Sequence, residues 1–184
     1  MMKRYLPLLF ATVTLIFVNG NIFKQQRLID NGEAIFVELM PVDPRSLLQG
    51  DYMALNYNLR ITSAKEDYGK AAVSPINYML VVTLDERRRV TSSTFTPSEP
   101  LNDNQHSLIV KNNAPASRLD GFYPASNSYL FAEGLAYCYQ QAKYAELRVD
   151  DDGKPLLYRL VDDSLQPLNC ESKPINKTET LAEF

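Results

Sequence analysis

The chain has no tryptophan, one histidine and two cysteines. A single histidine cannot build a multi-histidine metal site, and no Cys-x-x-Cys pair exists to assist it. His106, in Asn-Gln-His-Ser, therefore reads as a solvated loop residue, and no metal or cofactor is expected. Concentrated basic surface is missing too. The net charge is −3 and the lysines and arginines are scattered. Binding a phosphate backbone needs clustered positive charge, so nucleic acid is not an expected partner. The run Arg87-Arg88-Arg89 lies beside Asp85 and Glu86 and reads as a solvated turn, with lipid headgroup contact the lesser alternative. No internal repeat is visible.

The 184 residues allow one domain plus an anchor and tails, and about 150 residues are enough to bury a core. Residues 5–23 carry no charge and follow Lys3-Arg4. As a helix these 19 residues would be about 28 Å long, close to the hydrocarbon thickness of a bilayer. Two readings compete. One is an uncleaved transmembrane anchor; the other is a signal peptide cut near Gly20. Asn19 and Gly20 make a poor cleavage site, because Ile22 and Phe23 continue the apolar run, so the anchor is preferred. Lys24 and Arg27 follow the segment, which leaves little charge bias. The default orientation puts residues 1–4 in the cytoplasm and the domain outside, on a single pass through the cytoplasmic membrane.

Residues 24–33 form a helical or extended stalk ending at Asn31-Gly32. Strands are expected at 34–40, 51–61, 78–84, 89–95, 107–111, 129–131, 144–149 and 156–161. In the second of these, Met53, Leu55, Tyr57 and Leu59 share one face. Asp85-Glu86 and residues 150–153 should turn hairpins; the latter lacks the acidic spacing of a helical calcium loop. Asp43, Pro44 and Gly50 suit the cap, first position and stop of a short helical turn. A short helix is expected at 133–142, and residues 169–184 read as a loose tail. The fold class is mainly β: a single antiparallel sheet or partial barrel over 34–168, with one or two short helices behind the anchor. Outside the cytoplasm Cys138 and Cys170 can pair, closing a loop of about 33 residues worth about 3–4 kcal/mol. The alternative is two separate thiols.

Gly50-Asp51-Tyr52-Met53-Ala54-Leu55-Asn56-Tyr57 fits G-D-Y-x-x-L-x-Y. Here the sequence resembles the bacterial GDYXXLXY family, and the lead-in from Pro41 through Asp43, Pro44 and Arg45, with the later segment 146–153, resembles it as well. The resemblance implies a small protein with an N-terminal hydrophobic segment, without established activity, often encoded beside a multi-span membrane protein. That protein class is the implied partner. The motif itself reads as a core strand with a specified entry turn: Gly50 permits positive φ, Asp51 accepts turn hydrogen bonds, and Leu55 and Tyr57 face inward while Tyr52 faces away.

A groove lined by Arg45, Asp51 and Tyr52 is the functional alternative, as a hydrolase or small-ligand site. Where a serine–lysine peptidase would place its nucleophile ahead of Gly50-Asp51, this chain has Val42; Ser46 lies closer but has no identifiable base. No catalytic residue is assigned. The expected role is a non-catalytic accessory or binding module for an integral membrane partner. A purely structural envelope role is the third reading.

Overall fold

The computed structural model describes residues 6–40, 52–62, 77–95, 101–112 and 121–170. Asp43, Pro44, Arg45, Gly50, Asp51, the expected helical turn and the tail beyond Cys170 lie outside the described residues.

The apolar leader and the stalk form one continuous helix, α1, Leu6–Asn31. Its polar residues are accommodated within the helix: Thr14 Oγ1 donates to Phe10 O, Asn19 Nδ2 to Leu15 O and Asn21 Nδ2 to Phe17 O. Such back-bonding to the preceding turn satisfies side chains that would otherwise disfavour an apolar helix. The helix stops at Gly32, whose N–H bonds Leu28 O at 2.9 Å. A Cβ at Gly32 would sit 2.3 Å from that same oxygen, so only glycine fits this approach. Among the described residues no helix is long and apolar enough to cross a membrane.

Nine strands follow among the described residues: β1 Glu33–Glu38, β2 Tyr52–Ala54, β3 Asn77–Leu84, β4 Val90–Thr94, β5 Gln105–Asn112, β6 Phe122–Tyr123, β7 Ser128–Leu130, β8 Tyr144–Val149 and β9 Pro155–Val161. One short helical turn, α2 Ala136–Tyr139, precedes β8. The strands form three antiparallel sheets, ordered β1-β8-β9, β2-β7 and β4-β3-β5-β6. The fold is mainly β, and part of it curls into a half-barrel.

Three chain reversals share one design. Asp85, Asp150 and Asp162 each accept the backbone N–H three residues on, and their own N–H bonds the carbonyl four residues on. The carboxylates also cap backbone N–H groups of the turn, as at Arg87 and Arg89, at Lys154, and at Ser164 and Gln166. The fourth residue of each turn is left-handed: Arg88 at φ 63°, Gly153 at φ 79° and Leu165 at φ 64°. This is a type I turn followed by a left-handed residue.

A single core joins the sheets. Ile35 and Val37 from β1, Leu80 and Val82 from β3, Leu108 and Val110 from β5, and Ala145 and Leu147 from β8 are all buried in it. Phe122 packs edge-on to Tyr78 with ring centroids 5.5 Å apart and tilts against Phe95 at 5.3 Å. The sequence does not mark the two-residue strand that carries Phe122, because its length shows no period.

Two expectations need correction. Residues 169–170 are not part of a loose tail: Cys170 is buried and bridged to Cys138, with Cα atoms 5.7 Å apart. His106 is not a loop residue, since it lies on β5 opposite Val82.

Candidate functional site

The motif segment, residues 52–62, runs as an extended chain across all three sheets. Its burial alternates as the sequence predicts: Met53, Leu55, Tyr57 and Leu59 are buried, while Tyr52, Asn56 and Arg60 are exposed. The ladder partners change along it. Tyr52, Met53 and Ala54 pair with Leu130, Tyr129 and Ser128 of β7. Leu39, just past β1, then takes over: Met40 N donates to Asn56 O and Asn58 N to Glu38 O, both at 2.8 Å. Finally Ser93 of β4 exchanges bonds with Arg60 O and Thr62 N. Arg60 sits at φ 48° where the chain leaves one edge for the next. The segment is thus a seam that closes three sheets around one core.

Side chains reinforce the seam. The Tyr57 hydroxyl donates to Ser126 O at 2.7 Å, and burial raises its pKa far above the ordinary phenol value. Asn58 Nδ2 and Arg60 Nη2 both donate to Glu38 Oε2, at 2.9 and 2.7 Å. Beside this end lies an open groove of about 230 Å³, lined by residues that include Met40, Tyr57, Arg60 and Phe122. It is smaller than the roughly 300–1,000 Å³ of ordinary ligand pockets. Tyr52, expected beside a functional groove, is not among its lining residues. Tyr52 instead stands exposed, directly across from the exposed Leu130.

Residues 52–57 are the described part of the eight-residue motif, and a family model described as "GDYXXLXY protein" matches residues 14–160. The chain belongs to this family. No curated protein and no solved structure matches it. In this GDYXXLXY protein, Leu55 and Tyr57 are core residues and hold the sheets together. Arg45, Asp43, Pro44, Gly50 and Asp51 lie outside the described residues.

Two charged clusters of this family member were not singled out from sequence. The first joins the start of β1 to the opposite sheet. Glu33 accepts from Arg88 Nη2, and His106 Nδ1 lies 2.6 Å from its other carboxylate oxygen. Burial and the Arg88 charge lower the His106 pKa. Arg88 Nε also donates to Ala34 O at 2.8 Å. The arginine run is thus an exposed turn, as expected, whose Arg88 also fastens it to β1.

The second cluster lies on the outer face of β1-β8-β9. Glu146 is only 2% exposed, yet it is charged-paired twice: Arg148 Nη2 lies 3.0 Å from one carboxylate oxygen and Arg159 Nε 2.6 Å from the other. A bulge between Glu146 and Leu147 shifts the β9 register and brings Tyr158 to the same cluster. Both guanidinium carbons sit over its ring, at 5.1 and 5.0 Å from the centroid. The alternation of Tyr144-Ala-Glu-Leu-Arg-Val149 does place Glu146 and Arg148 together on the face opposite Ala145 and Leu147. Their burial is not legible there, because Arg159 arrives from another strand. Among the described residues no group of three or more His, Cys, Asp or Glu could hold a metal ion.

Proposed function

We propose that this GDYXXLXY protein is a membrane-tethered, extracytoplasmic accessory module that binds an integral membrane partner without catalysing a reaction. The observation that carries this reading is the surface of α1. Leu9, Phe10, Val13, Leu15, Ile16, Phe17, Ile22 and Phe23 are all exposed, with Phe10 at 74% and Phe17 at 72%. Together with the exposed Val18 they leave no gap wider than about 80° around the helix. A helix that packs on its own domain is apolar along one stripe, whereas one apolar all round is surrounded by apolar material. Lipid, reached by residues 5–23 together, supplies that surrounding, and the back-bonded Thr14, Asn19 and Asn21 lower the cost of placing them there.

Two further observations support the outside placement. The Cys138–Cys170 bridge suits an oxidising compartment. The continuous α1 carries the chain from the apolar stretch straight to Gly32 and β1, so the domain stands close to the bilayer surface, where a multi-span protein is within reach.

Copurification in mild detergent tests the partner. The full chain, tagged at its C-terminus and extracted at native levels, is expected to bring down one multi-span membrane protein in near-stoichiometric amount. Recovery of the chain alone, under conditions that preserve known membrane complexes, would overturn the accessory reading.

A further inference from the structure

The Glu146 cluster has a charge surplus. One carboxylate serves two guanidiniums, which leaves one positive charge in excess. The neighbouring register positions do not neutralise it. Across from Glu146 on β1 stands Phe36, and Arg148 is flanked by Ala34 and Leu156. Glu38, next along that face, is occupied by Arg60 and Asn58.

The two arginines are committed unequally. Arg148 gives Nη2 to Glu146 and Nη1 to Gly32 O at 3.2 Å, while its buried Nε has no hydrogen-bond partner. Arg159 gives Nε to Glu146 at 2.6 Å. Its side chain is 39% exposed. Arg159 is therefore partly open to solvent, with the Tyr158 ring beneath its guanidinium and that of Arg148. Glu146 and the tyrosine ring fix both guanidiniums in advance, so a ligand need not order them on arrival.

We propose that the Arg148–Arg159 pair, held by Glu146 and Tyr158, is a binding site for the phosphate group of a phosphate ester, with the partly exposed Arg159 as its main donor. Phosphate fits the surplus charge, and its oxygens accept the paired N–H groups of a guanidinium fork. Arg148, tied to the residue that follows α1, supplies charge at close range rather than the leading hydrogen bonds. The phosphate comes from a lipid headgroup or from a soluble ester. This site does not depend on the membrane tether.

The test uses the full chain in a neutral detergent and in lipid nanodiscs. Inorganic phosphate is titrated while the Arg159 Nε–Hε resonance is followed by NMR. In the second arm, the same resonance is compared between phosphatidylglycerol nanodiscs and the phosphate-free neutral detergent. Saturable binding is expected in at least one arm, weakened roughly tenfold or more by Arg159→Gln, as loss of charge-assisted bonds implies; for that variant binding is followed on the Tyr158 ring. Arg159→Lys keeps the charge beside Glu146 but loses the fork, so it should fold normally and still bind more weakly. Saturation by inorganic phosphate assigns a soluble ester, and a response confined to phosphatidylglycerol assigns a headgroup. No saturable response in either arm, or affinity unchanged by both substitutions, would overturn the site.

Discussion

The hydroxyl of Tyr57 donates to the carbonyl of Ser126, 69 residues further along the chain. Tyr57 lies in the motif strand and Ser126 precedes β7, so this bond and the adjoining ladder fix where the small sheet meets the larger ones. Removing the hydroxyl leaves a half-buried carbonyl without its partner. Tyr57→Phe is expected to lower stability by about 1–2 kcal/mol, and Tyr57→Ala by about 3–5 kcal/mol through the cavity as well. Urea denaturation of the two variants checks both values. Equal losses would mean that the hydrogen bond contributes nothing.

The tyrosine could be placed on the core face from sequence, because Met53 through Arg60 alternates without a break. Alternation also located β8, while an apolar run located β3, and the turn residues at 85–86 and 150–153 located both hairpins with β4 and β9. It failed where a residue's surroundings come from a distant strand. Glu146 and His106 look solvated by type, yet Arg159 and Glu33 reach them from other elements. The role of residues 52–62 was half legible. Their buried face follows from period two, but pairing with three different sheets depends on the curvature of the whole fold.

The three aspartate-headed turns give a matched pair of substitutions. Leu165 holds φ 64° with a side chain, where glycine bears no penalty. Leu165→Gly should raise stability by about 0.5–1 kcal/mol, the left-handed cost less the entropy of a glycine. Gly153→Ala should act oppositely and more strongly: besides φ 79°, its new Cβ would meet Ser107 O at 2.9 Å. A loss of about 1–3 kcal/mol is expected. Thermal melts of both variants measure the two signs.

Asp85 makes one turn pH-sensitive. Desolvation pushes its pKa upward, but hydrogen bonds from the Arg89 and Arg87 backbone and the Arg89 side chain outweigh it, so the net shift is downward from 3.8. The unfolded state therefore binds the proton first as pH falls. Asp85 contributes fully above the unfolded value and loses its contribution as pH drops through the lower, folded one. Melting temperatures followed from about pH 6 down to about pH 2.5 should fall less steeply in Asp85→Ala than in the natural chain. Parallel curves would exclude this linkage.

The Cys138–Cys170 bridge closes a loop with a sequence separation of 32. The double substitution to serine should cost about 2–4 kcal/mol, and reductant should give the unaltered chain the same loss. Because Cys170 is buried, the segment leading to it should then become sensitive to protease. Mobility on non-reducing gels, before and after reductant, reports the bridge directly.

The tether and its sidedness are tested most directly by a reporter fused after Phe184 that is active only outside the cytoplasm, assayed in the alkali-washed membrane fraction. The account predicts full reporter activity retained in that membrane fraction, with α1 still attached. Activity released into the soluble fraction, or a fusion active only with a cytoplasmic reporter, would contradict it.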